Sequence, residues 1–361
     1  MLYRRKSITV SKAVSAAAAQ VLTFVLCAFC LSACTNKRSQ ELTIGLNDAN
    51  KGSPQRVIAL SSSLAEIWLL AGGSLIGTSS DTLEREFFVN ITEINNSSIV
   101  SVDSGIDGGN STGNNGDIST YGDTSSNNTS TTVNDITVNS ITIVGTVKEP
   151  GLEAVLDLRP DFVILSADIA GHTALEQALT DAGIECLYAH VETFADYCAV
   201  LELFCEKTGN TQMLAKNGTE VKANIDRLLD KYEPSDPPTT YLLLRVHSSG
   251  GKVIAEDHVA CDILSDLGTV NIAANDQSLL SDLSLEAILE SDPDVIYVVT
   301  MGDEGAALKT LEQMFSIQPA WQKLTAVINN RVHILPKELF HYKPNAKWGQ
   351  AYETLIGSLA D

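Results

Sequence analysis

The sequence predicts a two-lobed α/β protein whose lobes are joined by one long α-helix. The first observation is an internal repeat, because residues 151–165 and 284–298 share the motifs Leu-Glu-Ala and Pro-Asp at an offset of 133 positions. Similarity at so long a period indicates one structural unit used twice. The second observation is a helical stretch over 193–238, between the two copies. The lobes are therefore expected at 56–192 and 239–361.

Each copy of the repeat has the same predicted local structure. A short amphipathic helix ends at a Pro-Asp pair, and a β-branched run follows as a buried strand. The helix carries a glutamate in its first turn, Glu153 in one copy and Glu286 in the other. One such residue is explained by the favourable effect of an acidic side chain at a helix N-terminus. Its occurrence in both copies also indicates a shared surface role.

The first 33 residues have the pattern of a secretory signal peptide. Arg4, Arg5 and Lys6 precede an apolar run over 13–29, and Leu-Ser-Ala-Cys follows. With Cys34 at the cut, the segment resembles a bacterial lipoprotein signal. The resemblance implies that Cys34 receives a diacylglycerol and becomes the mature N-terminus. A transmembrane anchor is the alternative, although the run is at the short end for a span.

The mature chain is then expected outside the cytoplasmic membrane, anchored to it by the N-terminal lipid. Residues 34–55 are polar and turn-rich, and they predict a flexible tether.

The first lobe opens with a strand over 56–60, and Ser61, Ser62 and Ser63 follow it before an apolar helix. A serine at a helix N-cap is common. Hydroxyls at the carboxyl edge of a parallel sheet also serve as ligand donors. Both interpretations of the serine triplet stay open.

Residues 95–140 interrupt this lobe. Of these 46 residues, 37 are Asn, Ser, Thr, Gly or Asp, and none is Lys, Arg or Pro. Such a segment buries too little apolar surface to offset the entropy of ordering it. The composition predicts a disordered loop inserted into the first lobe.

The connecting segment 193–238 is predicted to be helical except at Thr208-Gly209-Asn210. Its second helix, over 212–232, is about 30 Å long at 1.5 Å per residue. A single stiff helix between the lobes predicts limited hinge motion. The second lobe then repeats the alternation of strands and helices, and a closing helix is expected over 346–359.

Charge and cysteine content limit the partners. The net charge of −21 disfavours nucleic acid and anionic lipid surfaces, which attract basic patches. Apart from Cys34, four cysteines lie outside the signal segment, so two disulfides and buried thiols are both open. Cys198 and Cys205 are two helical turns apart, too far for a bond within a regular helix. The other two are Cys186 and Cys261.

Three stretches carry a resemblance to the solute-binding proteins of ABC importers for iron-siderophores, haem and cobalamin. They are RVIALSSSLAEIWLLAGGSLIGTSSD at 56–81, VGTVKEPGLEAVLDLRPDFVILS at 144–166 and DLSLEAILESDPDVIYV at 282–298. The resemblance covers about 56–359 apart from the insert. It implies two Rossmann-like α/β lobes joined by one long α-helix, with the ligand cleft between the lobes.

The same resemblance implies partners and site residues. One glutamate per lobe, Glu153 and Glu286, docks onto arginines of the membrane permease, which works with its ATPase. The cleft is lined by loops at the strand ends. The expected ligand-binding residues are Ser61, Ser62, Ser63, Thr146, Lys148, Ser166, Arg245, His247, Phe340, His341, Tyr342 and Lys343.

Cationic donors beside aromatic rings suit a large anionic chelate or a tetrapyrrole. Other roles stay open for three of the residues: His247 and His341 as turn residues, and Arg245 in a structural ion pair. The expected function is therefore that of a lipid-anchored monomeric receptor. It captures a ferric siderophore, haem or cobalamin and delivers it to the permease, without a cofactor of its own.

Two rival functions are weighed. A bare metal ion needs three or four converging ligands. The six histidines are scattered, with no His-x-x-His or His-x-x-x-His pair, so no metal site is predicted. No hydrolase, dinucleotide or phosphate-loop motif is present, so the chain is expected not to be an enzyme. A bare-metal binder, a surface hydrolase and an adhesive surface protein remain the alternatives.

Overall fold

The computed structural model describes residues 53–85, 87–88, 131–133, 136–138, 141–274 and 284–360. All of them belong to one compact unit, Leu42–Asp361. The predicted signal peptide with Cys34, nearly all of the tether and most of the insert lie outside these residues. Within the described part of the chain, no helix has the length and apolar character needed to cross a membrane.

The first lobe is built on a five-stranded parallel sheet with the order β5-β2-β1-β6-β7. A separate antiparallel pair, β3 and β4, lies within the predicted insert, where the composition argument expected only a disordered loop. The strands are β1 (Val57–Ala59), β2 (Gly77–Thr78), β3 (Thr131–Val133), β4 (Ile136–Val138), β5 (Thr142–Ile143), β6 (Phe162–Ser166) and β7 (Glu185–Ala189).

Four α-helices are described in full beside these strands. The first is apolar around nearly its whole circumference and is buried as a result. Its Trp68 ring contacts Phe162 at 5.8 Å and Phe204 at 5.2 Å between centroids. Position 73, after this helix, is occupied by glycine because a Cβ atom there would collide with the Trp68 ring. The helices are α1 (Ser62–Leu70), α2 (Leu152–Asp157), α3 (Ala170–Thr173) and α4 (Glu176–Asp181).

The connector consists of helices α5 (Phe194–Thr208), α6 (Thr211–Leu214) and α7 (Glu220–Leu229). Thr193 and Asp196 form a capping box that starts α5, and left-handed Gly209 ends it at the predicted break. The second part departs from the predicted regular helix, because a π-helical turn over Ala215–Thr219 joins α6 to α7.

The π turn is explained by contacts with other elements. It presents Asn217, whose side-chain amide donates to the carbonyl of Leu70 at 2.7 Å. The backbone carbonyl of Asn217 accepts from the Tyr197 hydroxyl at 2.9 Å. The side chain and the backbone of this buried residue are thereby both hydrogen-bonded, and the connector is fixed to the end of α1.

The second lobe has the strand order β10-β8-β11-β12, with β9 antiparallel to the end of β8. Its strands are β8 (Thr240–His247), β9 (Gly250–Val253), β10 (Val270–Asn271), β11 (Val295–Thr300) and β12 (Val332–Ile334). Its helices are α8 (Val259–Asp266), α9 (Leu285–Ser291), α10 (Glu304–Ile317), α11 (Thr325–Ile328), α12 (Lys337–Phe340) and α13 (Trp348–Ala360).

The two sheets share one topology, which confirms the two-lobed α/β architecture. The order β2-β1-β6-β7 in the first lobe corresponds to β10-β8-β11-β12 in the second. In each lobe the repeated segment supplies a helix, α2 or α9, and the strand after it, β6 or β11. That strand pairs with the first strand of its own lobe.

The repeated Pro-Asp pair has a structural role in both lobes. The Asp161 carboxylate accepts the backbone N–H groups of Gln55 at 2.8 Å and Arg56 at 3.0 Å. Asp294 accepts the backbone N–H of Thr240 at 2.8 Å. Each aspartate therefore holds the start of the first strand beside the repeated strand.

One core cluster is continuous from the first sheet to the second. It contains Val57 and Phe162 of the first lobe and Leu243 and Tyr297 of the second. The connector and α13 fill the space between them, through residues such as Phe204 on α5. The continuous core makes the two lobes a single packed body and favours small relative motions.

The described cysteines are free thiols, so the disulfide alternative is not found among them. Burial raises the pKa of Cys186 and Cys198 to about 12, and that of Cys205 and Cys261 to about 11. These thiols act as small apolar side chains in the core.

Candidate binding cleft

Loops from both lobes meet in a cleft between them. In the first lobe they follow the parallel strands β1, β2, β6 and β7, and in the second they follow the parallel strand β12 and the antiparallel strand β9. In open parallel sheets the carboxyl edge is where ligands bind. Polar contacts cross the cleft at several points, among them Arg85 to Tyr342, His190 to Asp257, and Glu192 to Lys343.

A buried ionic network lies at one end of the cleft. Arg85 is only 2% exposed and forms an ion pair with Glu66 of α1. It also donates to the Tyr342 carbonyl at 2.6 Å. Asn345 donates to Glu66 at 2.9 Å and to the Ser63 carbonyl at 3.2 Å. Burial raises the pKa of Glu66, while the Arg85 guanidinium opposes the rise.

A second network lies where β6 and β7 end. His190 Nδ1 is 2.6 Å from Asp168, and its Nε2 is 3.0 Å from Asp257 of the second lobe. The hydrogen bond to Asp168 raises the pKa of His190 to about 9, so the imidazole is charged at neutral pH. Burial would raise the pKa of Asp168, but the contacts with His190 lower it overall. Lys343 forms an ion pair with Glu192, and burial raises the pKa of the Glu192 carboxyl group.

The second lobe contributes positive charge that no described acidic residue pairs. The Arg245 guanidinium forms no hydrogen bond or ion pair with the described residues, so the structural ion pair left open for it is not found there. Its cross-strand partner on β9 is Lys252, which is exposed. Like charges directly opposite each other in a sheet are destabilising. The pair is therefore a place where an anion would relieve repulsion.

The loop after α12 supplies the aromatic part of the cleft. The Tyr342 ring lies between Arg85 at 5.1 Å and Lys337 at 4.9 Å. The His341 ring is 4.7 Å from it, and burial, with the nearby positive charges, lowers the pKa of His341 to about 4. Phe340 is 1% exposed within the core and presents no face to a ligand in this conformation.

A family profile described as "Periplasmic binding protein" matches residues 119–339, well over half of the chain. The chain belongs to this family. Its members are binding proteins, and this confirms the prediction that the chain is not an enzyme.

Two curated relatives of this periplasmic binding protein come from Bacillus subtilis. An iron-uptake system-binding protein is 25% identical over 198 residues, which cover 53% of this chain and 59% of the relative. An Fe(3+)-citrate-binding protein is 24% identical over 200 residues, covering 53% and 58%. The chain thus spans under three fifths of the length of either relative.

Solved structures share the fold over a larger part of the chain. An ABC transporter substrate-binding protein from Listeria monocytogenes superposes with a TM-score of 0.60 at 16% identity. The match covers 84% of this chain and 97% of that one. A periplasmic haem-binding protein from Vibrio cholerae gives a TM-score of 0.59 at 18% identity, covering 85% and 99%.

The remaining predicted site residues of this binding protein differ in placement. Ser61 precedes α1, but its side chain makes no capping hydrogen bond to the helix. Ser62 is the first residue of the helix and is buried. The Ser166 hydroxyl accepts the backbone N–H of Asp168 at 3.2 Å and shapes the loop after β6. Thr146 and Lys148 are exposed on a turn outside the networks described above.

The histidine His247 has the turn role that was left open for it. Its Nδ1 accepts from the Ser249 hydroxyl at 2.9 Å in the turn between β8 and β9. The ring is half-buried at the end of β8, two residues beyond Arg245. It therefore borders the cleft while it shapes the turn.

Sequence reasoning missed four polar cleft residues of this binding protein. Two of them, His190 and Glu192, carry a signal, because side chains two apart in an extended segment point the same way. The others give no local pattern, since they approach the cleft from separate loops. The four are Arg85, His190, Glu192 and Asp257, whereas Asp168 lies in the strand-end loop from Ser166 that was expected to line the cleft.

The two repeated glutamates have equivalent positions. Glu153 is exposed in the first turn of α2, and Glu286 is exposed in the first turn of α9. Neither carboxylate forms a salt bridge with a described residue. Both are therefore open to an external cationic partner.

Proposed function

We propose that this binding protein is an extracytoplasmic receptor that captures a metal chelate and delivers it to an ABC permease. The observation that carries the proposal is the facing pair of sheet edges, which bring cationic and aromatic side chains from both lobes to one cleft. A cleft between two α/β lobes, with few convergent polar groups, is a characteristic small-molecule site.

The charges favour an anionic, oxygen-rich cargo. Arg245 and Lys252 face each other across β8 and β9 without a described counter-ion. Lys337 and Tyr342 of the same lobe add a further cation and a ring. Guanidinium and ammonium groups recognise carboxylate or phenolate oxygens by charge-assisted hydrogen bonds. A ferric chelate is the first candidate, in agreement with the iron ligands named for the two curated relatives, and haem and cobalamin are the others.

Delivery depends on the exposed glutamates. Glu153 and Glu286 occupy matching helix positions in two lobes of one packed body, so their separation is held by the fold. Two fixed anions suit two permease subunits that each present arginines, because paired charges set orientation and speed encounter.

We also propose that the lipid on Cys34 keeps the receptor at the membrane. The motif Leu-Ser-Ala-Cys supports this, and metabolic labelling with palmitate tests it. The native chain should be labelled and should sediment with membranes. A Cys34→Ala variant that remains labelled would contradict the anchor.

A ligand panel tests the proposed cargo. The whole chain, purified in detergent, is titrated with ferric citrate, ferric hydroxamate and catecholate siderophores, haem and cobalamin, and tryptophan emission is recorded. Trp68, Trp321 and Trp348 are buried and emit efficiently, and absorbing chelates quench such emission. We expect saturable binding of one chelate class at micromolar affinity or tighter. Silence across the panel, in a protein with a native circular dichroism spectrum, would contradict the proposal.

A further inference from the structure

Three side chains of metal-ligand type converge at the edge of the cleft, on the first lobe. One oxygen each from Asp168 and Glu192 and one ring nitrogen of His190 lie within 4.8 Å of one another. This cluster is separate from Arg245 and Tyr342, which carry the proposed chelate site.

The topology explains why these residues meet. Strands β6 and β7 are adjacent and parallel, and Ser166 pairs with Ala189 at their carboxyl ends. Asp168 lies two residues beyond β6, and His190 and Glu192 lie one and three residues beyond β7. All three therefore leave the sheet at the same edge.

The spacing suits a transition-metal ion. Bonds from such an ion to nitrogen or oxygen ligands are about 2.0–2.2 Å, so two ligands of one ion lie at most about 4.4 Å apart. The three atoms lie within 4.8 Å of one another, so a small adjustment of the side chains brings them within this reach. When the ion displaces the second imidazole proton, two carboxylates and the neutral ring balance the charge of a divalent cation.

A further observation points to a missing ligand. The Glu192 side chain is only 14% exposed, and its Oε2 atom is buried without a hydrogen-bond partner in the described part of the chain. Its other oxygen pairs with Lys343. A buried carboxylate oxygen without a partner is costly, and an ion bound by the Glu192 carboxylate would satisfy it.

We propose that Asp168, His190 and Glu192 bind one divalent first-row transition-metal ion at this edge of the cleft. A mixed carboxylate and imidazole set suits Mn²⁺, Fe²⁺, Co²⁺ or Zn²⁺. Mg²⁺ and Ca²⁺ are disfavoured because they take oxygen ligands. The site goes beyond the proposed function, whose cargo is a chelate held by other residues.

Lys343 competes with the ion. Its ammonium group occupies one oxygen of Glu192, and the ion must share that carboxylate or displace it. His190 must likewise exchange a hydrogen bond to Asp168 or Asp257 for the metal. Removal of Lys343 should therefore strengthen ion binding, whereas removal of a ligand weakens it.

The test is calorimetric titration of the whole chain in detergent with Co²⁺ and Zn²⁺, in excess Mg²⁺. We expect one ion per chain at micromolar affinity. His190→Gln and Glu192→Gln should each weaken binding at least about tenfold, in line with the loss of a metal ligand. Glu202→Gln, which removes an exposed carboxylate on α5, is the matched control and should change nothing.

The Lys343→Met variant gives a further test, because its affinity for the metal ion should rise by about threefold or more. A misfolded protein would not show such an increase. Equal affinity in the native chain, His190→Gln and Glu192→Gln would overturn the proposal, as would millimolar binding without a fixed stoichiometry. Chelate binding, followed by tryptophan emission in the same variants, separates failure of this site from failure of the receptor function.

Discussion

At the scale of single residues, the cleft depends on charges that have no partner among the described residues. Arg245 is half-buried near the end of β8 and faces Lys252 across the hairpin with β9. The free guanidinium is available to a ligand because no described carboxylate occupies it.

We predict that Arg245→Ala lowers chelate affinity at least tenfold, about 1.4 kcal/mol, while the melting temperature stays the same or rises. Stability should hold because the substitution breaks no described ion pair and removes cross-strand repulsion. Tryptophan quenching and thermal melts check the two effects. Arg227→Ala, which removes an exposed arginine on α7, is the control, and an equal loss of affinity there would contradict the prediction.

A second residue-scale feature is the buried imidazole of His258. Its Nδ1 accepts the backbone N–H of Ala260 at 3.1 Å and caps α8. Burial and the nearby positive charges of Lys343 and Arg245 lower the pKa of His258 to about 3. The neutral ring is therefore part of the native fold.

We predict acid sensitivity from this residue. As the pH falls, the His258 imidazole is protonated first in the unfolded chain, at a pKa near 6.5. The contribution of His258 to the free energy of unfolding is therefore complete above pH 6.5 and decreases as the pH drops toward 3. Between pH 7.5 and 5 the loss is on the order of 2 kcal/mol. Chemical denaturation across this range measures it. In His258→Asn, which can cap without titrating, the slope should be shallower, and an unchanged slope would contradict the assignment.

At the scale of elements, Arg85 joins three parts of the chain. It follows the 3₁₀ turn Ser80–Glu84, pairs with Glu66 on α1, and donates to Tyr342 in the loop after α12. The network lies between the lobes and is almost fully excluded from water. It therefore positions the loop that carries the cleft residues.

We predict that Arg85→Met costs about 3–5 kcal/mol of unfolding free energy, because Glu66 is left buried without its counter-charge. The double variant Arg85→Met with Glu66→Gln should recover a large part of this loss. Urea denaturation of the two single variants and the double variant gives the coupling energy. Additive losses, with no recovery, would show that the pair does not act as a unit.

At the scale of the whole molecule, the two lobes are one packed body. Core residues run from the first sheet through the connector and α13 to the second sheet. Closure around a ligand is therefore expected to be a small motion of the cleft loops and lobes, and the distance between Glu153 and Glu286 should change little.

We predict that Glu153→Ala combined with Glu286→Ala reduces cellular uptake of the chelate at least tenfold while chelate affinity stays within twofold. The reason is that docking anions are lost and the cleft is untouched. Uptake of radiolabelled metal chelate and tryptophan quenching measure the two quantities. The control removes two exposed glutamates of the connector region, Glu206 and Glu220, and should transport normally. A large loss of affinity would rule out a pure docking role.

The sequence by itself determined the two-lobed architecture and the positions of the repeated elements. Periodic apolar residues and the Pro-Asp pair are local signals, so α2 with β6 and α9 with β11 follow from them directly. The capped break at Gly209 is local in the same way. The π turn at Ala215–Thr219 is not a local feature, because it depends on a hydrogen bond to the end of α1, which is distant in the sequence.

Only the tertiary structure decided which polar residues share the cleft. Arg85 and Tyr342 are 257 positions apart, and His190 and Asp257 are 67 apart, so no local pattern connects them. A separation of 22 positions likewise hid the contact of Asp168 with His190, which adjacent parallel strands bring to one edge. Phe340 was predicted to line the cleft, but it lies in the core because burial of its apolar ring is favourable. Local chemistry specifies elements, and long-range packing selects which side chains meet.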